Sequence, residues 1–243
     1  MIELVEQEIG FEQRNSFVSL ERPPSGDDWD TALTGIPPIP LAPVRYGFVK
    51  RVFDIVVALA AMVLLSPLFL IIAIAIAITS PGPVIFRQWR MGEGGRPFLF
   101  YKFRSMCADA EQKRAGLMDK NEMTGPVFKI KKDPRTTPIG CFLRKYSMDE
   151  LPQLYNVIRG DMSIVGPRPP IPDEVCQYGE RERRRLAVKP GLTCLWQVSG
   201  RNNVQFDEWV ELDLQYIRDM SFRGDLAIVA RTVPAVLTAR GAH

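Results

Sequence analysis

Asp149-Glu150 is the pair in this 243-residue chain best equipped for chemistry, because cations surround it in the sequence: Arg144 and Lys145 stand just ahead, and Lys129, Lys131 and Lys132 a little further upstream. Two adjacent carboxylates repel a phosphate unless a divalent cation or an arginine stands between them, so this mixture suits metal-assisted phosphoryl transfer. Downstream, Arg168 sits between prolines in Asp161-Met-Ser-Ile-Val-Gly-Pro-Arg-Pro-Pro170. A guanidinium on so stiff a loop suits a phosphate or a nucleobase edge, although a plain polyproline surface loop has the same composition. The acids have a competing structural use. Ser147-x-x-Glu150 matches a capping box for a helix over Leu151–Arg159, closed by Gly160, and acids in a first turn complement the helix dipole. Pro152 favours a start nearer Asp149, and either register leaves outward-facing backbone N–H groups where phosphate can bind.

Other chemistries find little support. The single histidine is the last residue, His243, which excludes Ser-His-Asp, Cys-His and His-ligated zinc arrangements unless the terminus folds inward. Cys107, Cys141, Cys176 and Cys194 are widely spaced and form no C-x-x-C pair, so neither a zinc site nor a disulfide framework is indicated. Catalysis must rest on carboxylates, cations or a metal.

Such a site needs a scaffold, and the scaffold includes an apolar run from Val52 to Thr79 with Ser66-Pro67 near its centre. The run is long enough to cross a bilayer, but the proline removes a backbone donor and the serine hydroxyl can satisfy the freed carbonyl, so the helix should bend there. Arg45, Lys50 and Arg51 precede it, and Arg87, Arg90, Arg96, Lys102 and Arg104 follow. Cations on both flanks favour a re-entrant hairpin with both ends on the cytoplasmic side; a proline-kinked spanning helix is the alternative. Residues 1–44 hold eight acids against two arginines, together with six prolines, and are expected to form a disordered tail. That segment carries −6, leaving +9 on the remainder of a chain whose net charge is +3. A basic body suits an anionic leaflet and anionic substrates, and no motif suggests nucleic acid.

The expected organisation is therefore a tail (1–44), a membrane element (45–80) stopped by Pro81-Gly82-Pro83, and a cytoplasmic-face catalytic domain (81–243). Within the last, Val84–Phe86 and Pro97–Phe103 read as a β-hairpin around Met91–Gly95. Helices are expected over Ala108–Met118 and Asp207–Met220, and an apolar segment over Asp225–Leu237 could be core or interfacial. Arg181-Glu-Arg-Arg-Arg185 reads as a solvated helix face or a lipid-headgroup contact.

The succession Lys50-Arg-Val-Phe-Asp54, Ser66-Pro67, Gly82-Pro-Val-Ile-Phe-Arg-Gln88, Tyr101-Lys-Phe-Arg-Ser-Met106, Asp149-Glu-Leu-Pro-Gln-Leu154, Gly160-Asp-Met-Ser-Ile-Val-Gly-Pro-Arg-Pro169 and Lys189-Pro-Gly-Leu-Thr193 resembles the bacterial sugar transferases. These are monotopic polyprenyl-phosphate phosphoglycosyl transferases, and the similarity runs in order from about Lys50 to Leu237. It implies a helix-rich α+β fold with a re-entrant helix broken at Ser66-Pro67, interfacial amphipathic helices and a small β-hairpin, at the cytoplasmic face of the bacterial inner membrane. It also implies transfer of hexose-1-phosphate from a UDP-sugar to undecaprenyl phosphate, with release of UMP. By the same resemblance Asp149 is the nucleophile and a ligand of Mg2+, Glu150 assists it, Arg144 meets phosphate, Arg168 lies on the nucleotide side, and Lys102 and Arg104 form a substrate-binding basic pair. The chain is most similar to compact members that prime exopolysaccharides. Cys194-Leu195 departs from the glycine and second aromatic common in the family. Membrane lipids are further expected partners, a homodimer or downstream glycosyltransferases are left open, and a non-catalytic membrane adaptor that recruits those enzymes is the competing function.

Overall fold

The computed structural model describes residues 39–44, 46–199 and 204–238. The acidic tail up to residue 38, Arg45, the Gly200-Arg-Asn202 turn and His243 lie outside the described residues.

The apolar run forms two helices, α1 (Gly47–Leu64) and α2 (Ser66–Thr79), bent by 61° at the expected break. The chemistry of the break is local. An unbroken helix would send the N–H of residue 67 to the Val63 carbonyl; Pro67 has none, and Ser66 Oγ donates to that oxygen instead at 2.8 Å. Among the described residues no single helix is long and apolar enough to cross a membrane, whereas the bent pair together has the length and composition of a broken span or a re-entrant loop.

One face of α1 is polar and turned inward. Lys50 Nζ pairs with Asp225 at 2.6 Å and donates to the Val165 carbonyl, while Asp54 accepts from Ser163 Oγ and the Ile164 N–H. Arg51 donates to the Val157 and Ile158 carbonyls at 2.6 and 2.7 Å, neutralising the end of the short helix that holds them. The opposite face leaves Phe48, Val52, Val56, Leu59 and Val63 exposed, and α2 leaves Leu70, Ile71, Ile74 and Ile78 so. On its inner side α2 buries Ile72 and Ile76 against Phe103 and Leu143.

Strands β1 (Ile85–Met91) and β2 (Pro97–Phe103) form the expected antiparallel hairpin, with Ile85 opposite Phe103 and Met91 opposite Pro97. The first strand is longer than its apolar core suggested, because Arg87 and Gln88 alternate with it. The helix expected over 108–118 is α3 (Ala110–Arg114) followed by a 3-10 turn to Lys120. Then come α4 (Pro138–Lys145), a 3-10 turn over Met148–Glu150, and α5 (Gln153–Arg159), which ends as expected at Gly160 in the left-handed region, φ 94°.

A second sheet was invisible in the sequence: β3 (Ser163–Val165) pairs in parallel with β4 (Gly191–Thr193). Three-residue strands carry too little periodicity to be seen. The pairing explains Lys189-Pro-Gly-Leu-Thr193, because a Cβ on Gly191 would stand 2.0 Å from the Gly166 nitrogen. The remaining helices are α6 (Pro172–Cys176), α7 (Glu180–Arg183), α8 (Leu195–Val198), α9 (Phe206–Arg218) and α10 (Phe222–Leu237). The central core joins Ala58 of α1, Phe98 and Phe100 of β2, Leu154 and Val157 of α5, and Tyr216 and Ile228 of the last two helices. The chain is thus helix-rich α+β.

Candidate active site

Thr137 caps α4 by accepting from the Gly140 N–H, and its own N–H donates to the Ser105 carbonyl, so α4 is anchored at the end of β2. That anchoring brings Arg144, in the last turn of α4, and Lys102, on β2, to one cavity of about 280 Å³ with Asp149 and Glu150. Thr136 Oγ1 accepts from Arg144 at 3.0 Å and fixes its guanidinium. Arg168 reaches the same cavity from the loop after β3.

The capping box is not made. Ser147 has φ 52° and ψ 24°, left-handed for a residue with a Cβ, and makes no side-chain cap. Such a conformation costs about 1–2 kcal/mol and turns the chain sharply before Asp149. The acids occupy their own 3-10 turn, two residues before α5 begins, so they do not open that helix. No serine signals a left-handed residue, and this strain could not be read from the sequence.

Asp149 is 6 % exposed. Burial raises its carboxyl above the usual aspartate value of 3.8, and the positive charges of Lys102 and Arg144 pull it back. Burial first and Arg144 second lower Lys102 to about 8. Burial and Arg168 likewise lower Lys129 to about 8, and Arg90 to about 9. A cavity that depresses several of its own cations is short of negative charge and suited to a polyanion.

Arg104, the other half of the expected basic pair, goes elsewhere. It is buried and donates to the Ser80 and Pro81 carbonyls at 2.5 and 2.7 Å, capping the end of α2. Alternation along β2 separates it from Lys102 only by an even step, but the strand ends at Phe103 and Arg104 turns toward the helix. Arg185 also departs from its expected solvated face. It is 3 % exposed, paired with Asp213 at 2.8 Å, bonded to Tyr178 and stacked on Trp209. Arg181 and Arg184, by contrast, make exposed ion pairs.

The cavity includes Cys194, the departure noted above, and adds residues that were not singled out for it, among them Arg90, Gln153, Trp196, Gln197 and Trp209. Trp209 carries Arg168 on its ring at 5.2 Å and packs on Trp196 at 4.4 Å. Arg90 donates to the Pro169 carbonyl at 2.9 Å and so fixes the loop that bears Arg168. In the sequence Trp209 was indistinguishable from a core residue of α9, and Arg90 from a strand residue.

The sequence profile of the bacterial sugar transferases matches residues 45–239. The chain belongs to that family. It is 56 % identical over 162 residues to the galactosyl transferase CpsE of Streptococcus agalactiae, covering 66 % of this chain and 36 % of the relative. It is 41 % identical over 201 residues to the exopolysaccharide production protein ExoY of Sinorhizobium fredii, covering 81 % of this chain and 89 % of that protein. The undecaprenyl-phosphate galactose phosphotransferase of Salmonella typhimurium is 41 % identical over 200 residues, covering 81 % of this chain and 42 % of its own length. This sugar transferase thus spans under half the length of two of these relatives and most of the third.

Proposed function

We propose that this sugar transferase moves hexose-1-phosphate from a UDP-hexose to undecaprenyl phosphate at the cytoplasmic face of the bacterial inner membrane, priming an exopolysaccharide. One observation carries the chemistry: Asp149 is buried within the fields of Lys102 and Arg144 in a cavity whose other cations are Arg90, Lys129, Lys131 and Arg168. A carboxylate oxygen of Asp149 attacks the donor's β-phosphorus, and the bond from that phosphorus to the bridging oxygen breaks. UMP leaves with the electron pair. An oxygen of undecaprenyl phosphate then attacks the phosphorus of the aspartyl phospho-sugar, regenerating the carboxylate and giving the lipid diphosphate sugar. Lys102 and Arg144 hold the phosphoryl oxygens while charge builds on them, and Arg168, steadied by Trp209, meets the nucleotide end.

Mg2+ fits the residues present only with help from the substrate. Among the described residues no group of three potential ligands occurs, so Asp149, with Glu150 beside it, would share the ion with the diphosphate and water. When bound, Mg2+ neutralises phosphate charge and improves the leaving group. The uncovered apolar faces of α1 and α2 support insertion of the bent pair as a hairpin, with Ser66-Pro67 at its tip.

Mixing the purified membrane protein with Mg2+ and a panel of UDP-sugars, without acceptor, should release up to one equivalent of UMP per chain, and undecaprenyl phosphate should restore turnover. Chelation should stop it. No UMP from any donor would leave a binding or adaptor role. Cysteines placed before Lys50 and after Pro83 in an otherwise cysteine-free protein should both resist a periplasmic thiol reagent; labelling of the first alone would indicate a spanning helix.

A further inference from the structure

The stretch from Asn121 to Lys129 contains no helix or strand, yet it leads into five consecutive residues, Val127 to Lys131, that line the cavity. Side chains have to hold such a wall. Asn121 does much of it: its Nδ2 donates to the Met123 and Val127 carbonyls at 3.1 and 3.2 Å, and its Oδ1 accepts from the N–H groups of Met123 at 3.2 Å and Lys129 at 2.8 Å. Both amide donors and both acceptor positions are used, so one side chain folds the backbone from residue 121 to 129. Among the described residues a single backbone bond crosses the same loop, from the Glu122 N–H to the Lys129 carbonyl at 2.8 Å. Lys129 is thus clamped through its own N–H and its own carbonyl. The tip of the loop rests on the start of α9, where Thr124 Oγ1 donates to Gln205 Oε1 at 3.2 Å and a Cβ on Gly125, φ 70°, would meet Phe206 at 2.6 Å. Phe206 touches Trp209, on whose ring Arg168 lies. The loop and Arg168 share an anchor.

We propose that Asn121 is a positioning residue: by stapling this loop it sets Lys129 beside Arg168, where the two cations hold the phosphate that departs with the nucleoside; this rests on the transferase reading above. The fields inside the cavity agree with such a division. Beyond burial, the charges that act on Asp149 are those of Lys102 and Arg144, whereas those that act on Lys129 are Arg168, Glu122 and Lys131. One pair of cations serves the nucleophile and the other stands apart from it. In the donor, the phosphorus attacked by Asp149 bears the sugar and the second phosphate leaves on the nucleoside, so the second pair suits the leaving group. Lysine presents a point charge on a flexible stem, and its contribution therefore depends on where the backbone plants it. Asn121 fixes that backbone and acts through Lys129.

The test measures binding of UMP to the purified protein by titration calorimetry, with uridine as the probe that lacks the phosphate. Lys129→Met should weaken UMP roughly tenfold and leave uridine unchanged, and Asn121→Leu, close to asparagine in size but unable to make its hydrogen bonds, should do the same. In the Lys129→Met background Asn121→Leu should add less than about twofold, because the group it positions is gone. Thermal unfolding checks that each variant is folded. Should Asn121→Leu not fold, the cycle is run with Asn121→Asp, which keeps the acceptor for the Lys129 N–H and loses both carbonyl bonds. UMP binding that Lys129→Met leaves unchanged overturns the proposal. So does a loss on substituting Asn121 that is as large in the Lys129→Met background as in the parent, or that extends to uridine, since the loop would then act by its shape and not through the lysine. An unmodified protein that releases no UMP from any UDP-sugar fails the transferase reading itself, and the proposal with it; release of UMP alongside UMP binding that neither variant changes fails the proposal alone.

Discussion

Two sets of cations in this molecule look alike in the sequence and live in opposite environments. Lys50, Arg51, Arg104 and Arg185 are spent inside the protein: on Asp225, on the carbonyls that end α5 and α2, and on Asp213. Although burial pulls Arg185 down, Asp213 and Tyr178 hold its pKa above the ordinary arginine value. Lys102 and Lys129 face the cavity, and burial beside other cations lowers both to about 8. The first set is matched to fixed oxygens of the protein, whereas the second is desolvated on a cavity wall lined by further cations. A cation whose partner is supplied by the fold serves stability, and one that burial first and neighbouring cations second depress on a cavity wall suits an anion from outside.

The largest expected effect falls on the carboxylate at the centre of the second set. Asp149→Asn should lower UMP release by about 10³-fold or more, since the amide cannot form the acyl-phosphate intermediate. The same change should raise thermal stability at neutral pH. The folded Asp149 has a raised pKa, so its charged form is disfavoured by folding and the stability lost on ionisation grows as pH rises through that pKa; asparagine removes the charge. An asparagine variant that melts lower than the parent at pH 7 but equally at pH 3 would show that Asp149 holds the cations together rather than being held by them.

The contrast between the sets is sharpest at Arg144 and Arg185. Arg144→Ala should cost about 10²-fold in UMP release while stability changes little, because its side chain's one described hydrogen bond is to Thr136. Arg185→Met should cost about 3–5 kcal/mol of stability, because Asp213 would be left buried without its cation. Denaturant melts and UMP assays on both variants check the pair together. Equal stability losses would erase the distinction between the two sets.

How much of this was legible follows from what each residue's partner is. The break at Ser66-Pro67, the hairpin of β1 and β2, the stop at Gly160 and the meeting of Asp149, Arg144, Lys102 and Arg168 were readable, because local chemistry or a shared motif states them. The fates of Arg104 and Arg185 were not, since their partners are carbonyls and a carboxylate distant in sequence. The flank-charge reason for a hairpin suffers from the same blindness. Lys50, Arg51, Arg90 and Arg104 are engaged within the protein, so few of those flanking cations are left to face a leaflet. The re-entrant arrangement therefore leans on the broken helix and its uncovered apolar faces. Trp209 and Gln153 escaped notice because core and cavity lining differ only by tertiary placement.

The smallest effect tests whether the depressed lysines act on the ligand or only on the fold, and pH separates the two. Lys102 has a folded pKa of about 8 against an ordinary 10.5, so between those values the folded protein binds fewer protons than the unfolded chain and this group's contribution to stability rises with pH. Donor binding runs the other way, because an anionic diphosphate prefers the protonated lysine and loses it as pH passes 8. Between pH 7 and 9 kcat/KM for the donor should thus fall by up to roughly tenfold, while neither Lys102 nor Lys129 lowers the melting temperature by deprotonating. Lys102→Arg keeps the charge throughout and should make the basic limb shallower without abolishing it, since Lys129 titrates in the same range beside Arg168. A limb left unchanged in Lys102→Arg would assign the whole pH dependence to Lys129, and a limb that tracks a falling melting temperature would return both lysines to the structural set.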